Sequence, residues 1–90
     1  MRIDKFLKLS RLVKRREVAR EMTEAGAVRL NGRSVKPAAE VKPGDVIEVA
    51  FPRRVISASV LTVDEREMKR GVPSMSDVDE NRLREDEKPW

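Results

Sequence analysis

Ninety residues carrying 20 Lys+Arg against 16 Asp+Glu allow one small domain of net charge +4. The chain has neither cysteine nor histidine, which removes disulfides, thiolate nucleophiles, imidazole bases and ordinary zinc sites together. No apolar run reaches transmembrane length, and the charged N-terminus lacks the apolar stretch of a signal peptide. A cytoplasmic protein without membrane contact is therefore expected.

The charge is unevenly placed. Residues 1–36 hold 11 Lys+Arg against 4 Asp+Glu, and residues 37–90 hold 9 against 12. The cationic surplus lies wholly in the N-terminal part, which is where an anionic partner is expected to bind.

Residues 2–9 predict a short helix with Ile3, Phe6 and Leu7 on an apolar arc and Arg2, Lys5 and Lys8 elsewhere. Ser10 and Arg11 interrupt it, and Leu12 and Val13 anchor the connection. A second helix is expected over about 14–25, with Val18, Met22 and Ala25 along one stripe and Ala19 beside it. Its start carries no Ser, Thr, Asp or Asn cap. Gly26 suits a C-terminal cap that needs a positive φ.

The period then changes from helical to alternating. Asn31 and Gly32 sit between two short strand-like runs, residues 27–30 and 33–36, a strong hairpin signal explained by turn geometry alone. Pro43, Gly44 and Asp45 suit a tight turn. Residues 46–51 and 55–63 read as strands joined by Pro52, Arg53 and Arg54. From Glu65 the pattern fades, and residues 65–90 read as a flexible acidic tail following a domain over 1–64.

Catalysis is poorly supported. Asp64 and Glu65 are adjacent acids near a strand end, without a pocket to shift their pKa. No phosphate-cradling glycine loop and no nucleophile–base pair is present. A non-enzymatic protein with no cofactor and no metal is expected.

Binding is better supported. Arg16 and Arg20 lie at i, i+4 on the side away from Val18 and Met22, and Thr23 extends that face. Arg2 and Lys5 lie on the corresponding side of the first helix. If the helices pack through their apolar stripes, these residues form one cationic surface, on which arginine forks can grip phosphates. The plainer reading is that Arg20 pairs with Glu17 or Glu24, and that Lys8, Lys14 and Arg15 only solubilise. Arg29 and Arg33 bracket the hairpin turn, where they either extend the surface or protect an edge strand. The only aromatic residues are Phe6, Phe51 and Trp90, and the first two sit at core-like positions. Base stacking is thus disfavoured, and a structured RNA read by shape and phosphates fits better.

The segments RIDKFLKLSRLVKRREVA and GAVRLNGRSVKPAAEVKPGDVIEV closely resemble the RNA-binding domain named after ribosomal small-subunit protein four. The likeness covers about residues 1–51. It implies an α+β fold, with two antiparallel helices against a small antiparallel sheet and an RNA face on the helices and adjacent hairpin. Among free-standing members, the chain is most like the RqcP group and next like the heat-shock-protein-fifteen group. The first likeness implies a factor that binds the large ribosomal subunit, contacts its rRNA and a peptidyl-tRNA, and supports C-terminal tailing by an RqcH-like factor; the chain itself is expected to be a monomer. The second implies rRNA or tRNA binding without tailing. Carried over by position, the contacts are Arg2, Lys5, Lys8, Ser10, Arg11, Lys14, Arg15, Arg16 and Arg20, with Arg29 and Arg33 beside them. An alternative of another class is an adaptor whose basic helices hold an acidic partner, or the chain's own tail.

Overall fold

The computed structural model describes residues 1–90. The chain runs α1 (Ile3–Leu9), α2 (Arg16–Glu24), β1 (Val28–Leu30), β2 (Arg33–Ser34), β3 (Val46–Phe51), β4 (Arg54–Val60), α3 (Glu65–Lys69) and β5 (Met75–Arg82). The strands form one antiparallel sheet in the order β2-β1-β3-β4-β5. The expected helix pair on a small sheet is therefore present.

The core joins Ile3, Phe6 and Leu7 of α1 to Ala19 of α2 and to Val28, Ile47, Val49, Ala58 and Val60 of the sheet. Burying the three large α1 side chains stabilises the fold by roughly 1.5–3 kcal/mol each. The start of α1 is stitched to the loop after β2. Ile3 N–H donates to Ala39 O at 2.8 Å, and Val41 N–H donates to Met1 O at 2.8 Å. These bonds fix Arg2 as the first residue outside the helix.

Local chemistry ends the elements where the sequence suggests. Gly26 has φ +80° and closes α2 in a Schellman motif, with Gly26 N–H on Thr23 O and Ala27 N–H on Met22 O. Asn31 (φ 51°) and Gly32 (φ 79°) make the β1–β2 turn, as their positive φ requires. Asn31 does more than turn the chain: its side-chain oxygen accepts from Val46 N–H at 2.8 Å, and its amide donates to Asp45 at 3.1 Å. The hairpin is thereby tied to the start of β3.

Three expectations are corrected. The buried face of α2 centres on Ala19 and Thr23, with Met22 partly buried against the core beside them, while Val18 of the expected stripe is 40% exposed and Ala25 is exposed too. Thr23 does not extend the cationic face, because its hydroxyl is turned inward onto Ala19 O at 2.7 Å. Small residues on the buried face let α2 sit close to α1, which rotates the larger Val18 outward. The flexible tail expected from Glu65 is also replaced, over residues 65–82, by ordered structure. Asp64 caps α3 by accepting from Glu67 N–H at 3.1 Å, and Met68 enters the core. β5 then pairs with β4 from Val60↔Met75 to Arg54↔Arg82, through a register shift at Ser57/Ser59. Most of β5 is exposed, so the backbone ladder holds it more than side-chain burial does.

Candidate nucleic-acid interface

Asp4 organises the cationic surface. It lies in the first turn of α1, where a carboxylate suits the helix dipole, and is only 2% exposed. Its oxygens accept from Arg2 Nε and Nη2, each at 3.2 Å, from Arg16 Nη2 at 3.5 Å and from Lys5 N–H at 2.8 Å. One buried carboxylate thus links an arginine before α1 to another on α2. Both guanidinium groups stay about half exposed, at 51% and 46%. Their inner edges are held and their outer donors remain available.

Arg2, Arg16 and Arg20 line one polar cleft of about 380 Å³ with Asp4 and Glu17. Arg20 Nε also bonds Glu24 at 2.9 Å, an exposed i, i+4 pair that an incoming phosphate can displace cheaply. The pairing expected from the plainer reading therefore exists, yet Arg20 still faces the shared cleft.

The remaining basic residues divide by position. Lys8, Arg11, Lys14 and Arg15 are exposed and make no ion pair, forming a free cationic edge along the end of α1 and the connection to α2. Arg11 occupies a left-handed turn with φ 67°, which swings the chain from one helix to the next. Ser10 is used structurally, since its hydroxyl donates to Leu7 O at 3.1 Å and closes α1. Lys5 points away from the cleft and pairs with Glu65 of α3. The Lys5 hydrogen bond, then the charges of Lys5 and Lys69, hold the Glu65 carboxyl below its ordinary pKa.

The hairpin arginines also separate. Arg33 is exposed and unpaired at the end of the β1–β2 turn. Arg29 is half-buried and lies over the ring of Trp90, 5.2 Å from its centroid, while the indole N–H donates to Gly26 O at 3.1 Å. The acidic residues of the C-terminal part do not cover the cleft. Glu80 pairs with Arg54 at 3.0 Å and Glu85 with Arg53 at 2.8 Å, at the β3–β4 turn. Sequence reasoning missed Asp4 as the organiser; the signal was a lone acid two residues after an arginine in a cationic helix.

The S4 domain family model matches residues 1–47. Proteins named RQC P-site tRNA stabilizing factor are similar along most of their length. The one from Listeria innocua is 40% identical over 75 residues, covering 83% of this chain and 82% of its own. The Bacillus subtilis protein is 39% identical over 75 residues, covering 83% and 87%. A Helicobacter pylori protein of the same name is 48% identical over 63 residues, covering 70% and 75%. Among solved structures, the trimeric Heat Shock Protein 15 of Vibrio cholerae matches with a TM-score of 0.74 at 27% identity, covering 90% of this chain and 81% of that one. From its N-terminal helix pair to its sheet, the chain belongs to the S4 domain family and, within it, to the family of RQC P-site tRNA stabilizing factors.

Proposed function

We propose that this protein is a non-enzymatic RNA-binding factor of ribosome-associated quality control. It acts at the large ribosomal subunit, contacting rRNA and a peptidyl-tRNA and holding that tRNA in place while an RqcH-like factor extends the stalled chain. The observation that carries the reading is the Arg2–Arg16–Arg20 cleft built on buried Asp4. It agrees with the name that the relatives share.

In this reading Asp4 holds two guanidinium planes in place before RNA arrives, so less side-chain entropy is lost on binding. Arg2, Arg16 and Arg20 grip backbone phosphates on one side. Lys8 and Arg11 track the adjoining strand, and Arg33 reaches past the hairpin. Lys5, Ser10 and Arg29 act mainly by positioning these elements, because each is already engaged within the protein. Such a surface reads shape and phosphates, which suits a structured RNA.

Sedimentation of the tagged protein with fractionated ribosomes, followed by RNA crosslinking, tests the reading. Association with large subunits is expected to fall steeply with salt, because released counterions drive it. Arg16→Ala is expected to weaken pelleting and to lower the salt slope by about one, with little change in folding. Salt-insensitive association, or pelleting unchanged by Arg16→Ala, would refute it.

The likeness to Heat Shock Protein 15 supports a second reading, rRNA or tRNA binding without a tailing role. Removing the protein from cells separates the two. Loss of C-terminal tails on stalled chains supports the first, and persistence of tails supports the second.

A further inference from the structure

The face of α2 opposite the arginine cleft is apolar and only partly covered: Met22 leans on the core and Val18 is exposed. Val18 and Met22 form one wall of a groove of about 700 Å³, Leu12 closes its end, and Ala50 and Phe51 of β3 form the other wall. Val18 is among the large hydrophobic side chains left exposed. The polar rim is made by Lys14 and Arg15, which make no ion pair, and by Arg54, which Glu80 pairs from outside the groove, and no acidic side chain lines the groove itself. Arg54 lies over the Phe51 ring at 4.9 Å, so that wall ends in an aromatic side chain topped by a positive charge.

We propose that this groove docks an acidic amphipathic helix of a protein partner, while the opposite face of α2 holds RNA. The occupant must bring apolar bulk for the floor and negative charge for the rim. A helix with apolar residues at i, i+3 or i+4, and i+7, flanked by Asp or Glu, supplies both. Methionine at the wall suits such a surface because its unbranched side chain adapts to the guest. A nucleobase fits less well. Its edge carries donors and acceptors, whereas the only polar side chains of the groove are three cations that donate. An inserted base would leave its donors unpaired against aliphatic side chains, at a cost in free energy. The inference goes beyond RNA binding and does not depend on which RNA the arginine cleft takes.

Site-specific photo-crosslinking reads the occupant directly. A benzophenone side chain replaces Val18 in the full chain, expressed as the only copy in cells. The expected product is an adduct with another protein whose crosslinked peptide is acidic and carries the stated apolar spacing. The same adduct is expected from a crosslinker at Pro52, on the opposite lip. Adding Met22→Gln to the Pro52 crosslinker is expected to reduce the adduct about tenfold, as at an interface anchor. Binding of purified Met22→Gln to tRNA is expected to stay within about twofold of the parent, since the site lies on the other face. Adducts with RNA, with phospholipid, with a second copy of this chain or with a peptide lacking the acidic amphipathic pattern overturn the proposal. So does a yield at both positions no higher than that from a crosslinker at exposed Lys69.

Discussion

Replacing Asp4 by asparagine removes a negative charge from a cationic surface, and bare electrostatics then predicts tighter RNA binding. The geometry predicts the reverse. Asp4 lies behind the guanidinium groups it holds, on the order of 7 Å from a phosphate they would grip. With the effective dielectric of about 20 that suits a carboxylate buried just under the surface, removing its repulsion is worth about 2.4 kcal/mol, which salt screening at physiological ionic strength reduces to about 1 kcal/mol. Against this, Arg2 and Arg16 lose the anchor that holds both side chains in place. Ordering a long side chain at an interface costs about 0.5–1.5 kcal/mol, so two cost about 1–3 kcal/mol. The net result is about 0–2 kcal/mol against binding, so that tRNA affinity falls by up to about 30-fold rather than rising.

Stability moves in the same direction. Asparagine keeps one acceptor but loses the charge that strengthens the four hydrogen bonds received by Asp4. Because both arginines are half exposed, they rehydrate when released, which holds the loss to about 1.5 kcal/mol. For a domain of this size that lowers the melting temperature by roughly 6–12 °C. Fluorescence anisotropy with labelled tRNA at fixed ionic strength, well below the melting transition, measures the first effect, and thermal circular dichroism the second. A folded Asp4→Asn protein that binds tRNA more tightly than the parent would show that Asp4 is a mere repulsive charge.

Glu65 gives a pH-dependent link between α1 and α3. Its folded-state pKa is lowered, so its contribution is present above the ordinary carboxylate pKa and is lost as pH falls through the lowered value. The difference in α3 amide exchange between the parent and Glu65→Gln should therefore be present near neutral pH and vanish in acid; a difference that persists in acid would disprove the link. Asn31→Ala should destabilise the fold by about 1–2 kcal/mol, from a strained positive φ and the lost bond to Val46 N–H. Urea unfolding measures this, and an unchanged midpoint would mean that the Asn31 bridge contributes nothing. Arg29→Ala should release Trp90, the chain's one tryptophan, and shift its emission to the red; an unshifted spectrum would place the docking energy in the indole bond to Gly26 instead.

Much of this fold was legible because local chemistry and global packing agree in it. Gly26, the Asn31–Gly32 pair and Gly44 each sit where a positive φ is needed, and β3 begins and ends where its apolar alternation does. The ordered segment after β4 was less legible, though its first half carried a signal. Asp64 and Glu67 stand at capping spacing, and Gly71 closes α3 with φ +84°. β5 carried almost none, since MSDVDENR lacks an alternating apolar face. Its register depends on the β4 backbone and on the Arg54–Glu80 pair, partners 26 residues apart that no local pattern reveals. The cationic residues were legible as a cluster, but not their division of labour. Charge alone does not tell Arg16, held toward a cleft, from Lys5, drawn off to Glu65, or Arg29, stacked on Trp90.

The same rotation of α2 accounts for both of its outer faces. A helix whose largest apolar residues pointed fully inward would have put Val18 and Met22 at the centre of its buried face, whereas Met22 lies only at the edge of the core and Val18 outside it. Ala19 and Thr23 occupy the centre instead, and the Thr23 hydroxyl is satisfied within its own helix. With a narrow buried stripe, two flanks of the helix remain at the surface rather than one. Arg16 and Arg20 take one flank, where Asp4 orders the first of them, and Val18 and Met22 take the other, beside Phe51. Nine residues can then present phosphate-gripping and apolar surfaces back to back. Replacing Ala19 by a larger residue would push α2 away from α1 and disturb both faces together, whereas Arg16 and Val18 substitutions should act separately. That coupling pattern distinguishes a helix positioned by its small residues from two independent patches that happen to share it.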